Sequence, residues 1–383
     1  MKPITDTKHL RDACESLSKA DYVAIDTEFM REKTYYPILC LVQLAIPGEQ
    51  YAVDPMADGI DLTPLFDLMA NENILKVFHA ARQDVEIFLH LSGSIPTPLF
   101  DTQIAAMVCG FGESVGYETL VNKLTGNQLD KTSRFTDWSH RPLTDRQLDY
   151  AISDVTHLRT IYEHLRDTLE SSGRASWLGE EFAILTTPTT YRVEPEEAWR
   201  RVKVRSAKPK FLAVLKSIAA YRENEAQRRD VPRNRILRDD AIMDIAGQAP
   251  SSEKELARIR TFNANNAAGR LGREVLEAVK LGTEMRPEDM PKLPPTKDLP
   301  RGRMPLVELL KVLLKLKSEE HQVAQKLIAN GTDLEEVAAS DDADVPALKG
   351  WRREVFGADA LDLKHGRIAI GANGSALKLI NLS

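Results

Sequence analysis

The sequence predicts an α/β domain, a mixed sheet covered by helices, followed by two small all-helical units. Three observations predict it. Early in the chain three β-leaning runs follow one another, and helix-like runs then alternate with a further strand-like run, the order expected of a mixed sheet with helical cover. After a linker candidate, Thr186-Thr-Pro-Thr-Thr190, residues from roughly 196 to 285 carry helical periodicity and no strand signal. A second break follows between Pro287 and Pro305, where six prolines stand among charged residues. The remainder, 306–383, opens with the amphipathic Leu306-Val-Glu-Leu-Leu-Lys-Val-Leu-Leu and again reads as helical. With 383 residues the chain can build one sizeable core and one or two smaller ones.

The strand-like runs are Val23 to Ile25, Leu39 to Ala45, Gln50 to Asp54 and Leu75 to Phe78. The first, Tyr22-Val-Ala-Ile25, leads into Asp26-Thr27-Glu28-Phe29. On a strand, residues i and i+2 share a face, so Asp26 and Glu28 project together from the end of a buried strand. The run Ile74-Leu-Lys-Val-Phe78 leads into a helix with apolar positions Ile87, Phe88 and Leu91. Asp84 precedes these by three, four and seven residues and therefore lies on the inward face, where a carboxylate is costly unless a cation meets it. Thr144-Asp-Arg-Gln147 reads as a capping box opening a long helix toward Leu169, with an apolar stripe of Leu148, Ala151, Ile152, Val155, Leu158 and Ile161. Tyr150 and Asp154 stand one turn apart on one side of that helix. In the second unit Phe211, Leu212, Leu215, Ile218 and Ala219 have helical spacing.

D-x-E alone is weak, since a chain this acidic produces it by chance about twice. It occurs at Asp26, at Asp84-Val-Glu86 and at Asp333-Leu-Glu335. The last two lie in helical patterns, where i and i+2 diverge, so only the first pairs its carboxylates.

Charge is divided along the chain. Residues 1–180 hold 16 Lys+Arg against 27 Asp+Glu, a balance of −11, whereas residues 200–238 hold 13 against 3, or +10. This suits a domain that holds cations joined to a neighbour that holds a polyanion; the plainer reading of the basic stretch is a solvated helix face. Cys14, Cys40 and Cys109 are odd in number and lack C-x-x-C spacing, which argues against a disulfide framework and a zinc site. The opening Met-Lys-Pro-Ile-Thr-Asp lacks the apolar stretch of a signal peptide, and no run of 18 apolar residues occurs, so a cytosolic chain without membrane attachment is expected.

Glycoside hydrolysis uses two acids and gives no role to a third and fourth. Neither G-x-S-x-G nor a P-loop is present. Four hard oxygen ligands point to Mg²⁺ or Mn²⁺, two such ions about 4 Å apart being able to clamp both the attacking and the leaving oxygen of a phosphodiester. Bound cations also let an acidic pocket accept phosphate.

Asp26-Thr-Glu28, Asp84 and Tyr150-x-x-x-Asp154, in that order and spacing, resemble the DEDD exonucleases of the tyrosine-containing branch. The longer strings Asp26-Thr-Glu-Phe-Met-Arg-Glu-Lys-Thr-Tyr-Tyr-Pro37, Phe78-His-Ala-Ala-Arg-Gln-Asp84 and Asp137-Trp-Ser-His-Arg-Pro-Leu-Thr-Asp145 are similar to the ribonuclease D family. Tyr221-Arg-Glu-x(3)-Gln-Arg-Arg-Asp-Val-Pro232 through Ile236-Leu-Arg-Asp-Asp240 resembles an HRDC domain, and Gly350-Trp-Arg-Arg-Glu-Val-Phe-Gly357 resembles a second, more divergent one. The resemblance covers nearly the whole chain with every catalytic position present. It implies a ribonuclease-H-like 3′-5′ exonuclease domain over 1–190, an HRDC domain over 205–288 and an HRDC-like domain over 300–383. It further implies hydrolysis of RNA 3′ ends to 5′-monophosphates with two divalent cations. By the same resemblance Asp26, Glu28 and Asp154 ligate one metal, Asp26 bridges to the second, Asp84 acts largely through water, and Tyr150 orients the attacking water. A neutral phenol is a poor base near pH 7, so coordination must do most of the deprotonation.

Several residues are candidate substrate contacts. Phe29 either stacks on the terminal base or is core. Trp138 and Arg141, before the third catalytic element, and Lys131 and Arg134 either meet the substrate backbone or are packing and solvated loop residues. His79 stands near the site as a substrate-side or packing group rather than a metal ligand, because hard cations prefer oxygen. Arg200, Arg201, Lys203 and Arg205, with Trp199, are placed to grip phosphates. Two further acids have structural readings, Asp101 as an N-cap and Asp54 as a turn residue before Pro55.

The expected partner is RNA, tRNA precursors and small structured RNAs with 3′ tails on the strength of the resemblance, with no membrane and no obligatory protein partner. A DNA exonuclease of the proofreading or helicase-associated type would use the same residues, and contacts to the 2′-OH separate the two. A binding protein with an inactive nuclease core is the third reading; five intact catalytic positions speak against it.

Overall fold

The computed structural model describes the chain except residues 1, 130–132, 134–135, 205, 294–301, 375 and 383. It begins with α1 (Thr7–Leu17), β1 (Tyr22–Met30), β2 (Ile38–Ile46) and β3 (Glu49–Val53). There follow α2 (Thr63–Ala70), β4 (Leu75–Phe78), α3 (Arg82–Ser92), β5 (Leu99–Asp101), α4 (Thr102–Val108), α5 (Tyr117–Thr125), α6 (Asp145–Ser172) and α7 (Gly179–Leu185). The strands form one mixed sheet in the order β3-β2-β1-β4-β5. β4 runs parallel to β1, with Ala24 opposite Val77, and to β5, with Phe78 opposite Asp101, while β2 and β3 are antiparallel with Val42 opposite Val53. Ala24, Ala45, Val77 and Phe100 share a core with Val155, Leu158, Ile161 and Tyr162 of α6, so the long helix lies on the sheet face that Asp26 and Glu28 continue.

The early strands and α6 form where the periodicity places them. Thr144 caps α6, with the reciprocal Gln147 bond of a capping box, and Gly173 ends it in the left-handed region at φ 68°. β5 is an addition to the sequence expectation, and three residues are too few to carry a period. Leu91, expected on the inward face of α3, is 42% exposed, because the helix ends one residue later at Ser92 and its last turn leaves the core. Lys76 is fully buried on β4, its Nζ donating to the carbonyls of Asn71 (2.5 Å), Ile74 (2.8 Å) and Thr97 (2.5 Å).

By packing the described chain falls into two compact units, residues 1–28, 41–186 and 297–383 in one, 29–40 and 187–296 in the other. Three units were expected from the sequence. The third joins the first because α13, described below, and the segments after it share one continuous apolar core with Met107, Val108 and Leu178. In the second unit α8 (Pro209–Arg229) packs against α9 (Arg233–Ile236), α10 (Asp239–Gln248) and α12 (Arg270–Thr283), and α11 (Glu253–Leu256) packs on α12. Leu212, Leu215, Ile218, Ile242, Ile245, Val275 and Val279 form its core. Gly282 admits α8 closely, since a Cβ there would lie 2.5 Å from the Val214 Cα. Tyr35 is also in this core. Its hydroxyl donates to Glu223, which Arg233 grips at 2.6 Å through both Nε and Nη2, and Asp230 accepts the N–H groups of Tyr35 and Tyr36 at 3.0 and 2.9 Å.

The chain ends with α13 (Met304–His321), α14 (Gln325–Ile328), α15 (Gly331–Ala339), the helical segment Ala358–Lys364 and an antiparallel hairpin, β6 (Ile368–Asn373) with β7 (Ala376–Asn381). The all-helical expectation for 306–383 is corrected at this hairpin. Alternating apolar residues on each side, Ile368 and Ile370, then Leu377 and Leu379, give period two over a stretch too short to stand out. Asp333 closes the capping box of α15 with Asn330, which accounts for that D-x-E. Trp351 stacks on Trp177 with ring centroids 4.3 Å apart. Arg352 is buried and donates to the Leu327 carbonyl at 2.6 Å and to Glu180 and Glu181. Among the described residues no helix is long and apolar enough to cross a membrane.

Candidate active site

β4 stops at Phe78, one residue past the pairing of Ala24 with Val77, so Asp26 and Glu28 emerge where parallel strands end, a usual place for a crevice. Thr27 points the other way, and its hydroxyl donates to Asp84 Oδ1 at 2.5 Å. Asp84 lies in the first turn of α3, where the helix dipole favours a carboxylate. The entry to α3 bends through Ala80 at φ 57°. Asp101 secures that bend by accepting the N–H groups of Ala80 (3.0 Å) and Ala81 (2.9 Å), and it caps α4 through Gln103 N–H (2.8 Å). Asp101 is therefore the N-cap expected of it, and holds a second loop as well.

One carboxylate oxygen from each of Asp26, Glu28 and Asp154 lies within 4.8 Å of the others. Oxygens that share a divalent ion at 2.0–2.6 Å are at most about 5 Å apart, so the three fit one ion. Asp84 is buried but outside that trio. Burial raises the Asp26 pKa to about 6, opposed among the described residues by the Thr27 backbone N–H. Asp84 is pushed well above the ordinary carboxylate range, first by burial and then by Asp26. A cation bound between such carboxylates favours their ionised state, which burial alone disfavours.

Tyr150 hydrogen-bonds Asp154; burial first, then the charges of Asp154 and Glu28, push its phenol above the ordinary value of 10.0. It remains a protonated donor at neutral pH. A cavity of about 290 Å³ opens beside this group, bounded by Asp26, His79, Tyr117, Leu129, Tyr150 and Asp154. Burial lowers the His79 pKa to about 4, so its imidazole is neutral, with Nδ1 3.0 Å from Thr102 Oγ1.

A family model described as 3'-5' exonuclease matches residues 1–170, and one described as HRDC domain matches 211–279. Ribonuclease D of Nitrobacter hamburgensis is 52% identical over 370 residues, 97% of this chain and 97% of that protein. Ribonuclease D of Granulibacter bethesdensis is 48% identical over 378 residues, 98% and 96% of the two chains. The chain belongs to the ribonuclease D family. Its structure is similar to the crystal structure of Escherichia coli RNase D, with a TM-score of 0.81 at 30% identity over 95% of this chain and 98% of that one. This ribonuclease D family member is thus a hydrolytic 3′-5′ exoribonuclease with a ribonuclease-H-like exonuclease domain, an HRDC domain and a largely helical C-terminal unit. Its family works with divalent metal ions.

The expected substrate contacts divide in this ribonuclease D. Phe29 is half-buried at the end of β1 and His79 lines the cavity. Trp138 is corrected: at 2% exposure it is core, its ring 6.2 Å from that of Tyr150. Arg141 is corrected too, because its guanidinium grips both oxygens of Asp54 at 2.7 Å and donates to the Trp138 carbonyl at 2.7 Å, fastening the loop before α6. Asp54 also accepts Met56 N–H at 3.0 Å, the turn role expected of it. Lys131, Arg134 and Arg205 lie outside the described residues. Arg201 and Lys203 are exposed; Arg200 pairs with Glu197 and covers the Trp199 ring at 4.9 Å. Trp199, at 2% exposure, is core rather than a stacking platform. Sequence reasoning missed Thr27 and Tyr117. A Thr between two acids and an aromatic opening a short amphipathic helix carry no periodic signal.

Proposed function

We propose that Asp26, Glu28 and Asp154 hold one divalent cation, that Asp26 shares a second with Asp84 through water, and that Tyr150 directs the attacking water at the last phosphodiester of an RNA 3′ end. The observation that carries this reading is the convergence of the three carboxylate oxygens within 4.8 Å beside the Tyr150 hydroxyl. Cations bound there would neutralise the phosphate and lower the pKa of water. The protein's part is positional. β1 presents two acids on one face, α6 presents the third with Tyr150 one turn earlier, and Thr27 fixes Asp84 by a hydrogen bond. Tyr150 orients water by donating or accepting a hydrogen bond and does not remove its proton. An all-oxygen set suits Mg²⁺ or Mn²⁺. We assign 1–190 to the exonuclease domain, 205–288 to the HRDC domain and 300–383 to a second HRDC-type domain.

The substrates proposed are tRNA precursors and other small structured RNAs with 3′ tails. The similar Escherichia coli enzyme is described as an exoribonuclease involved in structured RNA processing. The exposed Arg201 and Lys203, with Arg200, supply phosphate contacts outside the catalytic group, while Phe29 and His79 are assigned to the terminal nucleotide. The test incubates 3′-tailed tRNA and a DNA strand of equal length with Mg²⁺, with EDTA, and with Asp26→Asn protein. Stepwise shortening of RNA in Mg²⁺ alone is expected. Persistence in EDTA or in the variant overturns the metal site, and equal rates on DNA overturn the RNA preference.

A further inference from the structure

Two features of the first unit converge on one turn of α6. Tyr117 lines the cavity, its ring 5.2 Å from that of His79. Its hydroxyl donates to the backbone carbonyl of Asp154, and the N–H of Leu158 acts on it electrostatically. Asp154 C=O and Leu158 N–H are the two ends of one i to i+4 helix bond, so the tyrosine hydroxyl is set against the very turn that presents the Asp154 carboxylate. A phenylalanine would fill the same space and leave those two groups to each other.

The segment that delivers Tyr117 is gripped from the C-terminal unit. Ala324 N–H donates to the Met107 carbonyl at 2.9 Å, and Lys326 N–H donates to Glu113 Oε1 at 3.1 Å. Gly110, at φ +84°, lies so close that a Cβ would stand 3.1 Å from Gln322 Cβ and 3.2 Å from Gln322 O. At its far end the segment is fixed to the nuclease fold, the Val115 carbonyl accepting Gln103 Nε2 at 3.2 Å. Gly116 then starts α5 and Tyr117 follows.

We infer that Tyr117 is a positioning residue for Asp154, and that the C-terminal unit, through its grip on residues 107–116, braces this contact and so contributes to catalysis. The inference rests on Asp154 being a metal ligand, as proposed above. An HRDC-type unit would then have a task besides holding RNA: it keeps one wall of the cavity in the form that aims a ligand.

The test uses the full chain and three variants, Tyr117→Phe, Glu113→Ala and the double. Each is assayed for kcat and KM on 3′-tailed RNA with Mg²⁺, and for Mn²⁺ affinity without RNA by electron paramagnetic resonance of the free ion. Tyr117→Phe is expected to lower kcat about 10-fold with KM within twofold, and to weaken Mn²⁺ binding about 5-fold. Glu113→Ala should move both quantities the same way by a smaller factor. The double should be no worse than Tyr117→Phe, because both act along one path. Wild-type kcat and Mn²⁺ affinity in Tyr117→Phe overturn the inference, as does a double whose losses multiply. Asp154→Asn is the control: unweakened Mn²⁺ binding there overturns the ligand assignment itself, while weakened binding there with no change in Tyr117→Phe overturns only the brace.

Discussion

Two carboxylates withdrawn from water, Glu223 fully and Asp26 in part, have opposite electrostatics. Glu223 is fully buried in the second unit, and burial is the largest single influence raising its pKa. Yet the hydrogen bonds of Arg233 and Tyr35, the Arg233 charge and Gln227 together bring it below the ordinary value. Asp26 is half-buried, and its desolvation is opposed, among the described residues, by a backbone N–H rather than by a guanidinium or ammonium, so its pKa rises to about 6. A buried acid that carries its own cation is part of the fold. One whose charge no cation among the described residues balances is prepared for a cation from solution.

The largest effect expected from this contrast is loss of catalysis. Asp26→Asn should lower kcat on RNA with Mg²⁺ by at least about 10³-fold, and a variant within tenfold of the parent would remove Asp26 from the chemistry. Arg233→Met should act on stability instead. It strands Glu223 in the second unit, at a cost of roughly 3 kcal/mol in urea unfolding, and no measurable change would mean the pair is not needed. Tyr150→Phe comes next, with kcat down about 10- to 100-fold and Mn²⁺ affinity retained. Lost affinity would make Tyr150 part of the ion's binding set.

The pH dependence sharpens the comparison further. Asp26 has a folded pKa near 6, above its unfolded value near 3.8, so between those values the folded state binds more protons than the unfolded one. In EDTA, Asp26 therefore contributes a loss of stability as pH rises from about 4 to 6 that persists above it, while His79, lowered to about 4 by burial, contributes the opposite trend over the same window. Asp26→Asn should remove the Asp26 part of the pH dependence and leave the metal-free protein more stable than the parent at pH 7 by on the order of 1–3 kcal/mol. A parent-minus-variant stability difference that is flat or rises across this window would contradict the assignment. The smallest effect is expected at Arg141→Ala, about 1 kcal/mol of stability lost with the loop's anchor and KM for RNA unchanged. A raised KM with unchanged stability would return Arg141 to the substrate side.

The acids were legible because each belongs to a regular element with a clear period. β1 made Asp26 and Glu28 neighbours, the spacing to Ile87 and Phe88 turned Asp84 inward, and the capping box of Thr144 and Gln147 set the frame for Tyr150 and Asp154. The loop residues were misread for a common reason. Trp138 and Arg141 look available in sequence, but Arg141 meets Asp54 across 87 positions and Trp138 is drawn into the core beside Tyr150. Nothing local announces either partner. The C-terminal unit reads as separate because prolines precede it, while its apolar faces find their complement on Met107, Val108 and Leu178.

The sequence by itself determined which carboxylates share a face, where the catalytic helix begins, and the family to which the chain belongs. These follow from covalent spacing, since strand and helix periods convert position in the chain directly into direction in space. Only the tertiary structure decided that three oxygens converge within the reach of one ion, that Arg141 is bound to Asp54, and that the C-terminal unit grips the segment leading to Tyr117. Those facts depend on side chains brought together from far apart in the chain, and packing, which has no period, selects them.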